Sequence, residues 1–150
     1  MGAVSRPSAA GVPIKPLEAS LSFLESEDPG DPNPLRVIGA GAAGLEVVLA
    51  LRRRWPQREL QLQQHRGQLD PAVQHVLRKA NIAVTDDDSH HNGPSLLCTG
   101  SQGPPWLATT GLPLTPDGRV RTDRYLRVEG HPCLFASGDC AVISASPRPA

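Results

Sequence analysis

The sequence predicts an α/β fold: a parallel sheet of three or four strands with two helices, followed by a shorter strand-bearing segment. Three observations carry that expectation. Short apolar runs alternate with stretches of helical periodicity, in the order strand, helix, strand, helix, strand. Helical crossovers between successive strands make those strands parallel. A glycine-rich turn, Gly39-Ala40-Gly41-Ala42-Ala43-Gly44, joins the first run to the first helix.

Taken in order, residues 1–13 are small, polar and proline-bearing and read as a disordered lead. Leu17, Leu21 and Leu24 recur at helical spacing beside Phe23, which predicts a short amphipathic helix over residues 16–27. Residues 25–34 (ESEDPGDPNP) carry three prolines and a glycine and read as a linker. Leu35-Arg36-Val37-Ile38 is a strand, and the helix after the glycine turn runs from Ala42 to Arg54. It stops at Trp55-Pro56, because proline disfavours α geometry in the residue before it.

Leu60 and Leu62 alternate with Gln61 and Gln63 as a second strand. Asp70-Pro71 opens the next helix, an N-cap carboxylate with proline at the first helical position. Val73, Val76, Leu77 and Ala80 give it an apolar face, and Asn81 suits the left-handed position beyond its end. Residues 82–85 form a third strand, residues 86–94 a polar loop, and Leu96-Leu97-Cys98 a fourth strand stopping at Thr99-Gly100. Further on, residues 119–121 and 133–136 read as short strands. The expected organisation is a lead, helix and linker over 1–34, a dinucleotide-binding unit over 35–100, and a third segment over 101–150.

Aromatics make up only 3% of the chain, so any core is built from Leu, Val, Ala and Ile. Fifteen basic residues balance fifteen acidic ones, which removes bulk charge as a means of holding nucleic acid or an anionic membrane. No apolar run is long enough to span a bilayer and no signal-peptide core opens the chain, so the cytoplasm is the expected compartment. Cys98, Cys133 and Cys140 lack C-x-x-C spacing, which argues against a disulfide framework, a zinc site and a redox dithiol. The cluster Asp86, Asp87, Asp88, His90 and His91 lacks the spacing of a metal loop and reads as solvated.

The glycine turn carries the chemistry. In G-x-G-x-x-G between a strand and a helix, Gly39 permits the tight turn and Gly41 lets backbone amides approach a pyrophosphate. Gly44 lets helix and strand pack closely, and the helix N-terminus adds partial positive charge. The end of the second strand meets the adenosine ribose in this fold, where an acid serves NAD and a base serves NADP. Here Gln64, His65 and Arg66 stand with no acid before Asp70, so the choice between the two stays open.

Extended to Gly44-Leu45-Glu46, the turn resembles that of the NAD(P)H domain in the pyridine nucleotide-disulfide oxidoreductase superfamily. Leu96-Leu97-Cys98-Thr99-Gly100 is similar to the segment that closes that domain, and Leu134-Phe135-Ala136-Ser137-Gly138-Asp139 to the family's second flavin signature. Residues 12–16, 103–107 and 128–132 resemble type II NADH dehydrogenase-like flavoproteins, including the cyanobacterial class fused to selenide, water dikinase. The resemblance implies a Rossmann-like NAD(P)-binding unit followed by an incomplete FAD-domain segment. It implies FAD and NAD(P) as cofactors and hydride transfer from NAD(P)H to flavin. Glu46 would lie on the nicotinamide side, Thr99 and Gly100 at the domain junction, and Gly138 and Asp139 against the flavin.

The departures are as informative. No second G-x-G-x-x-G is present for the flavin pyrophosphate, and the family's strand meander gives way to the short loop 86–94. The expected partners are a nicotinamide dinucleotide and a polypeptide supplying the missing FAD domain. A dinucleotide-binding module without turnover, or an inactive fragment of a flavoprotein–selenide, water dikinase fusion, is the alternative.

Overall fold

The computed structural model describes residues 4–5, 11–64, 69–86 and 93–146. The chain divides into two compact units, Pro7–Thr99 and Met1–Arg6 with Gly100–Ala150. The two-residue strand β1 (Val4–Ser5) belongs to the second.

The first unit comprises β2 (Val12–Pro13), α1 (Leu17–Ser26), β3 (Leu35–Ile38), α2 (Ala42–Arg54), β4 (Leu60–Gln63), α3 (Pro71–Lys79), β5 (Ala83–Thr85) and β6 (Ser95–Leu97). Its strands form one sheet in the order β2-β6-β3-β4-β5, every neighbouring pair parallel. The fifth strand is a difference from the sequence reading, which placed residues 12 and 13 in the disordered lead. Val12 pairs with Leu96 at the sheet edge, and Ile14 N–H donates to the Leu97 carbonyl at 2.9 Å. Proline is tolerated there because an edge strand can spare a ladder donor.

Leu35, Val37, Leu60, Leu62 and Leu96 are buried in one core with Val48, Leu51 and Trp55 of the α2 segment and Leu77 of α3. Asp70 caps α3 as its sequence predicts, accepting from Ala72 N–H at 2.7 Å, and Asn81 takes φ 53° just past its end. In α1 the buried stripe is not the leucine one. Leu17 and Leu21 are 57% and 45% exposed, whereas Ser20 is fully buried and Phe23 and Leu24 pack on the core. A serine fits where α1 comes close to the β2 segment: its hydroxyl donates to the Leu17 carbonyl at 2.8 Å, with the Ile14 carbonyl at 3.4 Å.

The linker is ordered by charge and turns. Asp28 and Asp31 accept from Gly30 and Asn33 N–H as Asx turns. Arg58, 2% exposed, donates to the Asp28 and Asp31 carbonyls at 2.7 and 2.6 Å and faces the Glu27 and Asp31 carboxylates at 3.3 Å each.

In the second unit β1 pairs antiparallel with β7 (Ser101–Gln102). A four-stranded sheet has the order β10-β9-β8-β11, formed by β8 (Val120–Thr122), β9 (Arg127–Val128), β10 (His131–Phe135) and β11 (Ala141–Ile143). Leu107, Val120 and Val128 make a small core with Leu112, Leu114 and Ala136 around it. The sequence reading found only β8 and β10. The others are two or three residues long and too short to show a period.

Candidate dinucleotide-binding site

β4 lies on one side of β3 and β6 on the other, so the connections diverge at the C-terminal ends of β3 and β6. In open parallel sheets ligands bind at such a switch point. Here β3 runs into Gly39, whose φ of +111° is a left-handed value that side chains resist. A Cβ at Gly39 would also stand 2.7 Å from the Cys98 carbonyl oxygen and 3.2 Å from Thr99 N. The turn is tied across the sheet: Gly39 N–H donates to the Gln63 carbonyl at 2.9 Å and Cys98 N–H to the Ile38 carbonyl at 2.8 Å.

Gly44 is buried in the first turn of α2, and a Cβ there would lie 1.7 Å from the Gly39 carbonyl oxygen. Gly41 differs. It is the N-cap of α2 with ordinary extended backbone, and a Cβ would meet nothing within 4 Å. No side chain caps α2 and no acid occupies its first turn. Among the described residues no side chain caps the amides of that turn, beside space left open at Gly41; this is the arrangement a pyrophosphate requires.

The structure brings Gly39, Gly44 and Thr99 together at this edge, with Gln64 one residue past the end of β4. Gln64 N–H donates to the Thr85 carbonyl at 2.9 Å, and its half-exposed side chain borders a cleft of about 370 Å³ with Leu69, Gln74 and Val84. Glu46 is exposed on α2 and Gly100 is exposed with φ +45°. His65 and Arg66 lie outside the described residues, as do Asp87, Asp88, His90 and His91. Among the described residues no cluster of His, Cys, Asp or Glu could hold a metal, and no helix is long and apolar enough to cross a membrane.

Cys98 has a part that its sequence context did not reveal. It floors the glycine turn, its Cβ 3.5 Å from the position a Gly44 Cβ would take. Burial pushes its thiol up to about 11, so it serves as packing rather than as a nucleophile.

In the second unit Gly138 has φ +77° and begins a 3-10 turn, Gly138–Cys140, with Asp139 exposed beside it. Both border a cleft of about 490 Å³ lined also by Ser101, Arg119, Thr122 and Ser137. Hydroxyls and a carboxylate suit a polyol chain such as ribityl. Arg119 is engaged by Asp117 at 2.7 Å, whose carboxyl is held below its usual range chiefly by the Thr115 hydroxyl.

No protein-family model matches the chain. It is 24% identical to ferroptosis suppressor protein 1 of Xenopus tropicalis, over 72% of this chain and 39% of that protein. Among solved structures it superposes on an FAD-dependent pyridine nucleotide-disulphide oxidoreductase from Desulfovibrio vulgaris with a TM-score of 0.69 and 21% identity, covering 95% of this chain and 44% of that one. A water-forming NADH oxidase from Lactobacillus brevis, bound to NADH, gives a TM-score of 0.68 and 20% identity over 93% of this chain and 38% of that one. The chain thus spans less than half the length of these relatives. Its α/β architecture is the fold of the FAD-dependent pyridine nucleotide-disulphide oxidoreductases.

Proposed function

We propose that this chain is the NAD(P)H-binding part of an FAD-dependent NAD(P)H oxidoreductase. One observation carries the reading: the uncapped first turn of α2 beside the open position at Gly41, at the switch point of a parallel sheet. Gly39, Gly41 and Gly44 would hold the pyrophosphate, Gln64 and Arg66 the adenosine ribose, Glu46 would lie on the nicotinamide side, and Thr99 and Gly100 at the domain junction. Gly138 and Asp139 would contact the ribityl chain of FAD. A bound flavin supplies the two-electron acceptor for the nicotinamide hydride. This chain's residues bind and orient the dinucleotide, and the α2 dipole favours its phosphates.

Within that reading the chain falls among type II NADH dehydrogenase-like flavoproteins, kin to those fused to selenide, water dikinase, and works in the cytoplasm. The rest of the FAD domain comes from outside these residues, from a second polypeptide or from further sequence of the same protein. A dinucleotide-binding module without turnover is the second reading, favoured by the single G-x-G-x-x-G in the sequence. Equilibrium dialysis against NADH, NADPH and FAD tests both. Nicotinamide binding with no retained flavin and no NADH oxidation by the chain alone is expected. Stoichiometric bound FAD would overturn the need for residues beyond these, and no nicotinamide binding would overturn the site.

A further inference from the structure

A strand paired on both sides in a parallel sheet ordinarily reads as an apolar run, because both of its faces are covered. β3 breaks that pattern at Arg36. The strand lies between β4 and β6, and Leu35 and Val37 share the helix-side core with Leu60, Leu62 and Leu96. Alternation therefore puts Arg36 on the opposite face, in register with Gln61 of β4 and Ser95 of β6. It is buried there, 8% exposed, and Gln63 is 4% exposed.

The guanidinium spans two side chains of β4. Its Nε and Nη2 donate to Gln61 Oε1 at 3.3 and 3.1 Å, and its Nη1 donates to Gln63 Oε1 at 3.4 Å. These acceptors are neutral, and no carboxylate pairs with Arg36 among the described residues. A buried charge held by neutral acceptors is a poor device for stability, since an apolar side chain of similar volume commonly serves a core as well or better. The arginine therefore has another part, and Gln63 shows which. The Gln63 carbonyl accepts from Gly39 N–H at 2.9 Å, at the start of the glycine turn. The next residue is Gln64, at the expected ribose position, whose N–H donates to the Thr85 carbonyl at 2.9 Å.

We propose that Arg36 is a positioning residue for the dinucleotide: it clamps Gln61 and Gln63 to β3 and so fixes the end of β4, to which the glycine turn is tied and from which Gln64 meets the adenosine ribose. The role rests on the NAD(P)H-binding reading. Arg36 acts through Gln63 and not by contact with the ligand. A planar fork bonded to two side chains of one strand restrains that strand's end in a way that a single apolar side chain does not. Binding groups keep their productive geometry only while the residues behind them are locked, and ordering them at the moment of binding lowers affinity.

Arg36→Met separates this role from a merely structural one. The variant should melt at the wild-type temperature or above it, because a buried charge is gone. In calorimetric titration it should bind NADH about tenfold more weakly, a difference of ~1.4 kcal/mol. ADP-ribose, which keeps the pyrophosphate and the adenosine, should lose the same factor. Arg36→Lys, with a charged donor for one of the two glutamines, should recover part of the loss. In hydrogen exchange read by NMR without ligand, the Gly39 and Gln64 amides should be protected in the wild type and exchange faster in Arg36→Met. Equal NADH binding by wild type and Arg36→Met, or a loss of affinity matched by a fall in melting temperature, would overturn the proposal alone. A wild type that binds neither NADH nor NADPH would remove the dinucleotide site and the proposal with it. Fast exchange at Gly39 in the folded wild type would rule out the clamp even where the variant fails to fold.

Discussion

Replacing Gly41 and Gly44 separately distinguishes binding from folding at the same turn. Alanine at Gly44 puts its Cβ 1.7 Å from the Gly39 carbonyl oxygen, a backbone atom that no rotamer change can move aside. Overpacking of this kind costs ~1–3 kcal/mol. The clash belongs at the upper end, and removing a helical glycine returns ~1 kcal/mol of propensity, leaving a net loss of about 2 kcal/mol. At ~4–8 °C per kcal/mol for a small domain, the first unit should melt about 10 °C lower. Valine at Gly41 meets open space and ordinary backbone, so its cost to folding stays under about 1 kcal/mol, mainly from a poorer N-cap. The same side chain fills the approach to the α2 amides and should weaken NADH binding by about tenfold or more, ~1.4 kcal/mol. Calorimetric titration with NADH and thermal melts of the two variants measure both effects. Gly41→Val binding like the wild type would remove the pyrophosphate site, and Gly44→Ala melting like the wild type would refute the packing account.

Further outcomes follow from other parts of the chain. With no acid at Gln64 to repel a 2′-phosphate, and His65 and Arg66 following, NADPH should compete at least as well as NADH in a displacement titration; a strong preference for NADH would contradict this. Arg58→Met should destabilise the first unit by about 3 kcal/mol in urea unfolding, because two carbonyls and two carboxylates lose a buried partner. The Glu27 and Asp31 carboxylates reach solvent in part, which keeps the loss at the low end of that range. The raised Cys98 thiol favours its neutral form in the folded chain, so it should resist iodoacetamide at pH 8 while exposed Cys133 reacts. Its contribution to stability is present below its ordinary value of 9.0 and is lost as the pH climbs towards about 11. Rapid labelling of Cys98 at pH 8, read by mass spectrometry, would show that the glycine turn opens.

The sequence by itself determined the elements whose period or punctuation is local. β3, α2, β4 and α3 stand where alternation, the Trp55-Pro56 stop and the Asp70-Pro71 start put them, and the glycine turn joins β3 to α2 as its spacing requires. Such signals depend on near neighbours, and near neighbours are what a sequence displays. Tertiary structure decided what depends on partners distant in the chain. Val12–Pro13 is a strand because β6 offers an edge, Ser20 is buried because α1 comes close to the β2 segment, and Cys98 matters because Gly39 and Gly44 rest on it. It also separated three glycines that a motif treats alike. Gly39 and Gly44 are glycine because backbone stands where a Cβ would go, and Gly41 is the one of the three whose Cβ would meet open space, because nothing among the described residues fills that position.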